Sequence, residues 1–183
     1  DNIVRYGRDG QKLAIIGRQG FHLAEMVGPE GICVDRSGNL YVADGGNNRV
    51  QKFSPQGKFL MTFGRKGRGE GEFFRPSAVL VLADGRILVS DCGNGRLQLF
   101  DESGNFLKIL GRRQLASPRG LELLADGRIA VADERRGVVV HDLKDGSWNR
   151  LETISGRVDS AVGLAVDRNN LLYITDFDSY RVS

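Results

Sequence analysis

Histidine, cysteine and tryptophan are all scarce in this sequence, and each scarcity removes a class of protein. The two histidines, His22 and His141, lie far apart, so with two cysteines there is no Cys/His cluster of the kind that holds zinc. Cys33 falls in an apolar segment and Cys92 in a loop, which is no disulfide framework and points to a reducing, cytoplasmic compartment. No apolar run approaches the ~20 residues that span a bilayer. The opening residues, DNIVRYGRDG, do not read as a signal peptide, so the expectation is a soluble chain with no membrane partner. Helical periodicity is almost missing as well.

Glycine, by contrast, is abundant: 25 of 183 residues, roughly twice the usual share, as turn-dense β proteins require. The stretch from Gly28 to Gly64 shows how these glycines are used. Four short apolar-rich segments, Ile32 to Asp35, Leu40 to Ala43, Val50 to Phe53 and Phe59 to Phe63, are separated by the turn signals Arg-Ser-Gly-Asn, Gly-Gly-Asn-Asn and Ser-Pro-Gln-Gly. That pattern predicts an antiparallel meander. The first two segments are nearly continuous apolar runs and predict strands buried on both faces, whereas Gln51 and Lys52 predict a half-exposed third strand.

The unit repeats. Pro29, Pro76 and Pro118 each stand two residues before Gly31, Ala78 and Gly120, with Ala161 and Gly163 in the corresponding place of the last unit. The second segment ends at Asp44, Asp91, Asp133 and Asp176, which are 47, 42 and 43 residues apart. Five residues beyond three of these aspartates stand Arg49, Arg96 and Arg181; the third unit has Val138 instead. Four-stranded units at this period predict a β-propeller, whose blades pack radially, each burying a face against the next. The chain thus reads as one all-β domain over residues 1–183, with units at 28–73, 74–114 and 115–157 and part-units at 1–27 and 158–183. The part-units are complementary in phase. They either join into one blade, closing a ring of four, or belong to a larger ring of which this chain holds about four blades' worth.

With a single tryptophan, Trp148, and no Trp-Asp dipeptide, the WD40 type is disfavoured. The sequence instead resembles the NHL repeat in three pieces: Met26-x-x-Pro29-x-Gly31-Ile32, then Asp35-x-x-Gly38-Asn39-Leu40-Tyr41-Val42-Ala43-Asp44, then Asn47-x-Arg49-Val50-Gln51-x-Phe53. The resemblance weakens in the third and fourth units. It implies a ring of about six blades, or roughly 260 residues. It also implies a non-catalytic platform, since animal NHL propellers are often the C-terminal module of tripartite-motif proteins that act as ubiquitin ligases and post-transcriptional repressors.

In an up-and-down meander, the loop entering strand one and the loop joining strands two and three share an end. That end gathers Arg65, Lys66, Arg68 and Arg75, then Arg112, Arg113 and Arg119, then Arg135, Arg136 and Arg157. The same end carries the rings Phe177 and Tyr180 and the amides Asn47 and Asn94. Cations with stacking rings suit single-stranded or hairpin RNA, so these are the candidate RNA- or ligand-binding residues, with no DNA partner expected. Of the residues between Pro and Gly that the resemblance turns outward, Glu30, Ser77, Arg119 and Val162, only Arg119 suits a phosphate. The plain alternative is solvated charge, or a face that docks protein partners or ubiquitination substrates.

The repeated aspartates read as turn caps or partners of the repeated arginines, and Met26, Phe73, Leu115 and Val158 as core. A propeller lyase or calcium-dependent lactonase is the remaining competitor. Catalysis needs an asymmetric set of groups, whereas here the same aspartate recurs in each unit and neither histidine belongs to the inner set. No catalytic residue, metal or cofactor is therefore assigned.

Overall fold

In the computed structural model, which describes residues 1–143, 148–154, 158, 160–177 and 181–182, the chain is a succession of small antiparallel sheets. β1 (Ile3–Tyr6) and β2 (Lys12–Ile16) form a two-stranded part-blade, followed by a loop holding the short strands β3 (Arg18–Gln19) and β4 (Glu25–Met26). The first complete blade is β5 (Pro29–Val34), β6 (Leu40–Asp44), β7 (Arg49–Phe53) and β8 (Phe59–Phe63). A second loop holds β9 (Arg65–Lys66) and β10 (Glu72–Phe73). The second blade then runs through β11 (Pro76–Val81), β12 (Ile87–Asp91), β13 (Arg96–Phe100) and β14 (Phe106–Leu110). The third is β15 (Pro118–Leu123), β16 (Ile129–Asp133), β17 (Gly137–Asp142) and β18 (Asn149–Ile154). Last come β19 (Ala161–Val166), β20 (Leu172–Asp176) and β21 (Arg181–Val182). Within each blade, neighbours in sequence are neighbours in the sheet, and β5, β11, β15 and β19 pack side by side as the inner strands. This is a β-propeller.

The Pro-x-small signature follows from that convergence. Each inner strand begins with a bulge, between Pro29 and Ile32, Pro76 and Ala78, Pro118 and Gly120, and Ala161 and Gly163. Proline has no N–H to offer the ladder and is tolerated at such an edge. A Cβ on Gly31 would lie 2.5 Å from the Ser77 carbonyl oxygen and 2.8 Å from the Ala78 Cα, in the backbone of the next inner strand. One on Gly120 would lie 2.8 Å from the Val162 carbonyl oxygen. The inner strands approach so closely that a side chain at these points would push blades apart.

Apolar layers fill the spaces between blades. Tyr41, Val50, Phe73, Val79, Val89 and Phe100 form the layer between the first and second blades, and Leu88, Leu97, Leu110, Leu115, Ile129 and Val131 that between the second and third. Met26, Phe73 and Leu115 are buried and Val158 is partly so, each at its expected core position.

Two expectations about burial need correction. β5 is not buried on both faces: Ile32 and Val34 are half exposed, because only one side of this strand is covered by β11, whereas β11 itself lies between β5 and β15. Nor is β7 half exposed in the expected way, since Gln51 is fully buried and hydrogen-bonded. The part-blades also stay apart: among the described residues β1 pairs with β2 and β21 with β20, in separate sheets, so the four-bladed closure does not form. No helix among the described residues is long and apolar enough to cross a membrane.

Candidate nucleic-acid interface

The repeated aspartate is the anchor of the loop end. Asp44 is fully buried; its Oδ1 accepts the Val27 N–H at 2.8 Å, and its Oδ2 accepts Arg49 Nε at 2.9 Å, Asn47 Nδ2 at 2.9 Å and Gln51 Nε2 at 3.0 Å. The far side of the Arg49 guanidinium donates to the carbonyls of Phe21, His22 and Glu25. Asp91 repeats the arrangement with Phe74 N–H, Asn94, Arg96 and Gln98, and Arg96 reaches the carbonyls of Arg68, Gly69 and Glu72 at 2.7–2.9 Å. Asp, Asn three residues on, Arg five on and Gln seven on therefore act as one clamp that ties a thirteen-residue loop, Gly17–Pro29 or Gly64–Pro76, onto its blade. Five N–H donors in a fixed fork let a single arginine satisfy both a carboxylate and several loop carbonyls.

The third unit explains its own departure. Its loop, Gly111–Pro118, is five residues shorter than the two that the arginine clamps hold. Asp133 accepts the N–H groups of Ala116, Ser117 and Arg135 instead, and the positions of the arginine and glutamine are the buried Val138 and Val140. Loop length and clamp residues were lost together.

These bonds sort the candidate site residues. The amides of Asn47 and Asn94 are committed to the clamp, Asn47 also donating to the Gly20 carbonyl and Asn94 to that of Gly67. Arg65 holds Glu72 through Nε at 3.0 Å and Nη2 at 2.9 Å; the Gly69 N–H and then Arg65 keep that carboxyl below its ordinary range. Arg119 is bound to Glu134 at 2.9 Å and to Glu30 of the first blade at 3.4 Å, and Arg75 approaches Glu30 at 3.8 Å. Arg119, at the mouth of the inner strands, is thus neutralised by two carboxylates. Arg136 donates to the Gln114 carbonyl. Lys66, Arg68, Arg112, Arg113 and Arg135 are exposed and enter no ion pair among the described residues. Phe177 is largely exposed, while Tyr180 and Arg157 lie outside the described residues.

Three of these cations, Arg68, Arg112 and Arg135, border two open depressions. One, of about 310 Å³, has Arg68 and Arg112 on its walls with Gly93 and Asn94 between them. The other, of about 380 Å³, has Arg75, Arg119, Glu134 and Arg135 around Gly93 and Phe74. Gly93 is common to both. Cys92, beside it, is a buried thiol whose pKa is raised by that burial, and His141 is stacked on Trp148 inside the third blade with ring centroids 4.1 Å apart. Gln51 and Gln98 are the clamp members that the strand pattern hid; their recurrence seven residues after the aspartate was the available signal.

Residues 26–53, which span β4 to β7 and the first clamp, match the family model of the NHL repeat. The chain carries an NHL repeat. Over 39 residues it is 51% identical to the E3 ubiquitin-protein ligase TRIM71 of Xenopus tropicalis, a stretch of 21% of this chain and 5% of that protein. NHL repeat and relative together support a propeller recognition module. Among solved structures, the virginiamycin B lyase of Staphylococcus aureus superposes with a TM-score of 0.72 at 14% identity, covering 100% of this chain and 61% of the lyase. A protein of unknown function from Bacteroides caccae gives 0.70 at 18%, covering 93% and 62%. The chain therefore spans less than two thirds of these structures, and identities this low speak to the propeller fold alone.

Proposed function

We propose that this NHL-repeat chain is a non-catalytic recognition module that binds single-stranded or hairpin RNA on its basic loop end, within a cytoplasmic tripartite-motif type ligase or post-transcriptional regulator. The observation that carries the reading is the sorting of charge. Lys66, Arg68, Arg112 and Arg113, which come from two loops that each enter an inner strand, remain exposed and enter no ion pair among the described residues, while Arg119, helped by Arg135, holds the Glu134 carboxyl low and other neighbours are spent in clamps and ion pairs. Cations left free on a concave surface favour a polyanion, since each neutralised phosphate releases counterions. Asp44 and Asp91 are occupied inside the clamps and Asp133 by backbone N–H groups, rather than turned toward a substrate.

Affinity measured by fluorescence anisotropy over a salt series tests this. If Arg112 and Arg113 each neutralise one phosphate, Arg112→Gln with Arg113→Gln should flatten the slope of log affinity against log salt by ~1.4 and weaken binding ~25-fold near 0.1 M salt. An unchanged slope refutes the basic-end site. No binding by the wild-type chain at low salt turns the same face into a protein-docking surface.

A further inference from the structure

We propose that Phe74 is a stacking platform for one base of a bound RNA strand, set between two phosphate-binding depressions; the inference rests on the RNA reading above. Phe73 and Phe74 are adjacent but face opposite ways. Phe73 is fully buried in the inter-blade layer, whereas Phe74 is 38% exposed on the basic end.

The backbone of Phe74 is held at both polar groups. Its N–H donates to the buried Asp91 carboxylate at 2.8 Å, and its carbonyl accepts the Gly93 N–H at 2.8 Å. Below the ring lies Gly93, where a Cβ would fall 2.3 Å from the Phe74 Cδ1; the glycine lets the ring rest directly on the turn. A ring so anchored loses little freedom on binding, which favours affinity.

The fold does not ask for that ring. The corresponding residue is Val27 in the first unit, where the N–H donates to Asp44 and the carbonyl accepts from Gly46 in the same way. In the third unit it is Ala116, whose N–H donates to Asp133. Backbone geometry is repeated while the side chain changes, so the aromatic is a local addition to a shared frame.

Its surroundings supply the ligand chemistry. Gly93, on which the ring lies, is the shared wall of the two depressions, with Arg68 and Arg112 on one side and, on the other, Arg75, Arg119 and Arg135 beside the Glu134 carboxylate. Ala116 and Ser117, from the shorter loop of the third unit, line the second depression. A single strand crossing here places phosphates on the arginines and a base over Phe74. Stacking of this kind tolerates any base, since every base has a π-face.

The test compares Phe74→Leu and Phe74→Val with the wild-type chain, using a single-stranded RNA that carries one 2-aminopurine. Each variant should lose about 5- to 150-fold in affinity, with the salt slope and the thermal unfolding midpoint unchanged, and Phe74→Tyr should bind like wild type. Quenching of 2-aminopurine should fall with the loss of the ring. If Phe74→Leu binds as tightly as wild type while the Arg112/Arg113 variant is weakened, the stacking platform is refuted and the basic-end reading stands. If the wild-type chain binds no RNA, both fall.

Discussion

Replacing Arg96 by Met tests the account of the clamp most directly. Arg96 is almost fully buried, with its side chain 4% exposed, and it pairs with the fully buried Asp91 at 2.7 Å. Methionine keeps the apolar stem but removes the fork. Breaking one side of a buried pair costs about 3–5 kcal/mol, because a charge is left without its partner. Here Asp91 keeps the Phe74 N–H, Asn94 and Gln98, and the Glu72 carbonyl keeps Gln98. The carbonyls of Arg68 and Gly69 sit in exposed residues, so water replaces the lost donor there. The remaining partners place the cost near the lower bound, about 3 kcal/mol. Urea unfolding of the 183-residue chain, followed by far-ultraviolet circular dichroism and by Trp148 fluorescence, measures it. Arg65→Ala is the control: it removes a pair whose arginine side chain is 81% exposed, and should cost under about 1 kcal/mol. Raising the salt to about 0.5 M should shrink the small control effect and leave the large one, since buried pairs escape screening. A loss below about 1 kcal/mol for Arg96→Met would show that the clamp merely decorates a loop held by other forces.

Two further perturbations probe other levels of the structure. Gly31→Val introduces atoms where the Ser77 carbonyl already stands 2.5 Å from an ideal Cβ; it should lower the unfolding midpoint by the equivalent of about 1–3 kcal/mol. A Gly31→Val chain of wild-type stability would contradict the close approach of the inner strands. Acid should also destabilise the fold through its turns. The Asn105 side chain, then backbone N–H groups, hold Asp101 below its ordinary value, and the Leu171 and Asn169 N–H groups act likewise on Asp167. A carboxyl depressed in the folded state contributes stability that is complete above the unfolded pKa, about 4, and is lost as pH falls through the folded one. Urea midpoints should therefore be level between about pH 7 and 5 and drop below about 4, less steeply in Asp101→Asn with Asp167→Asn. A midpoint that holds level down to about pH 3 would count against this.

The blade was legible because its cues are local. Turn residues, the Pro-x-small step and Asp44, Asp91, Asp133 and Asp176 recur at a period that only a stack of like units sustains, and the pairing of aspartate with an arginine five residues on spans one tight turn. The NHL resemblance rested on the same stretch, residues 26–53, that the family model matches. The basic end was legible for a related reason, since connectivity alone puts those loops together.

What the order of residues determined by itself was the blade, its repeat and the end on which the cations gather. Tertiary structure decided which of those cations are free. Arg119 is neutralised by Glu30, 89 residues away on another blade, and Gln51, polar and apparently exposed by alternation, is drawn into a buried clamp by a carboxylate and a loop carbonyl. Phe74 is told from Phe73 only by which way an anchored backbone turns its ring. Hydrogen bonds and turn preferences within a unit act between near neighbours and leave a pattern in the sequence. Contacts between blades act between residues far apart in the chain, and only the folded geometry brings their charges and rings within reach.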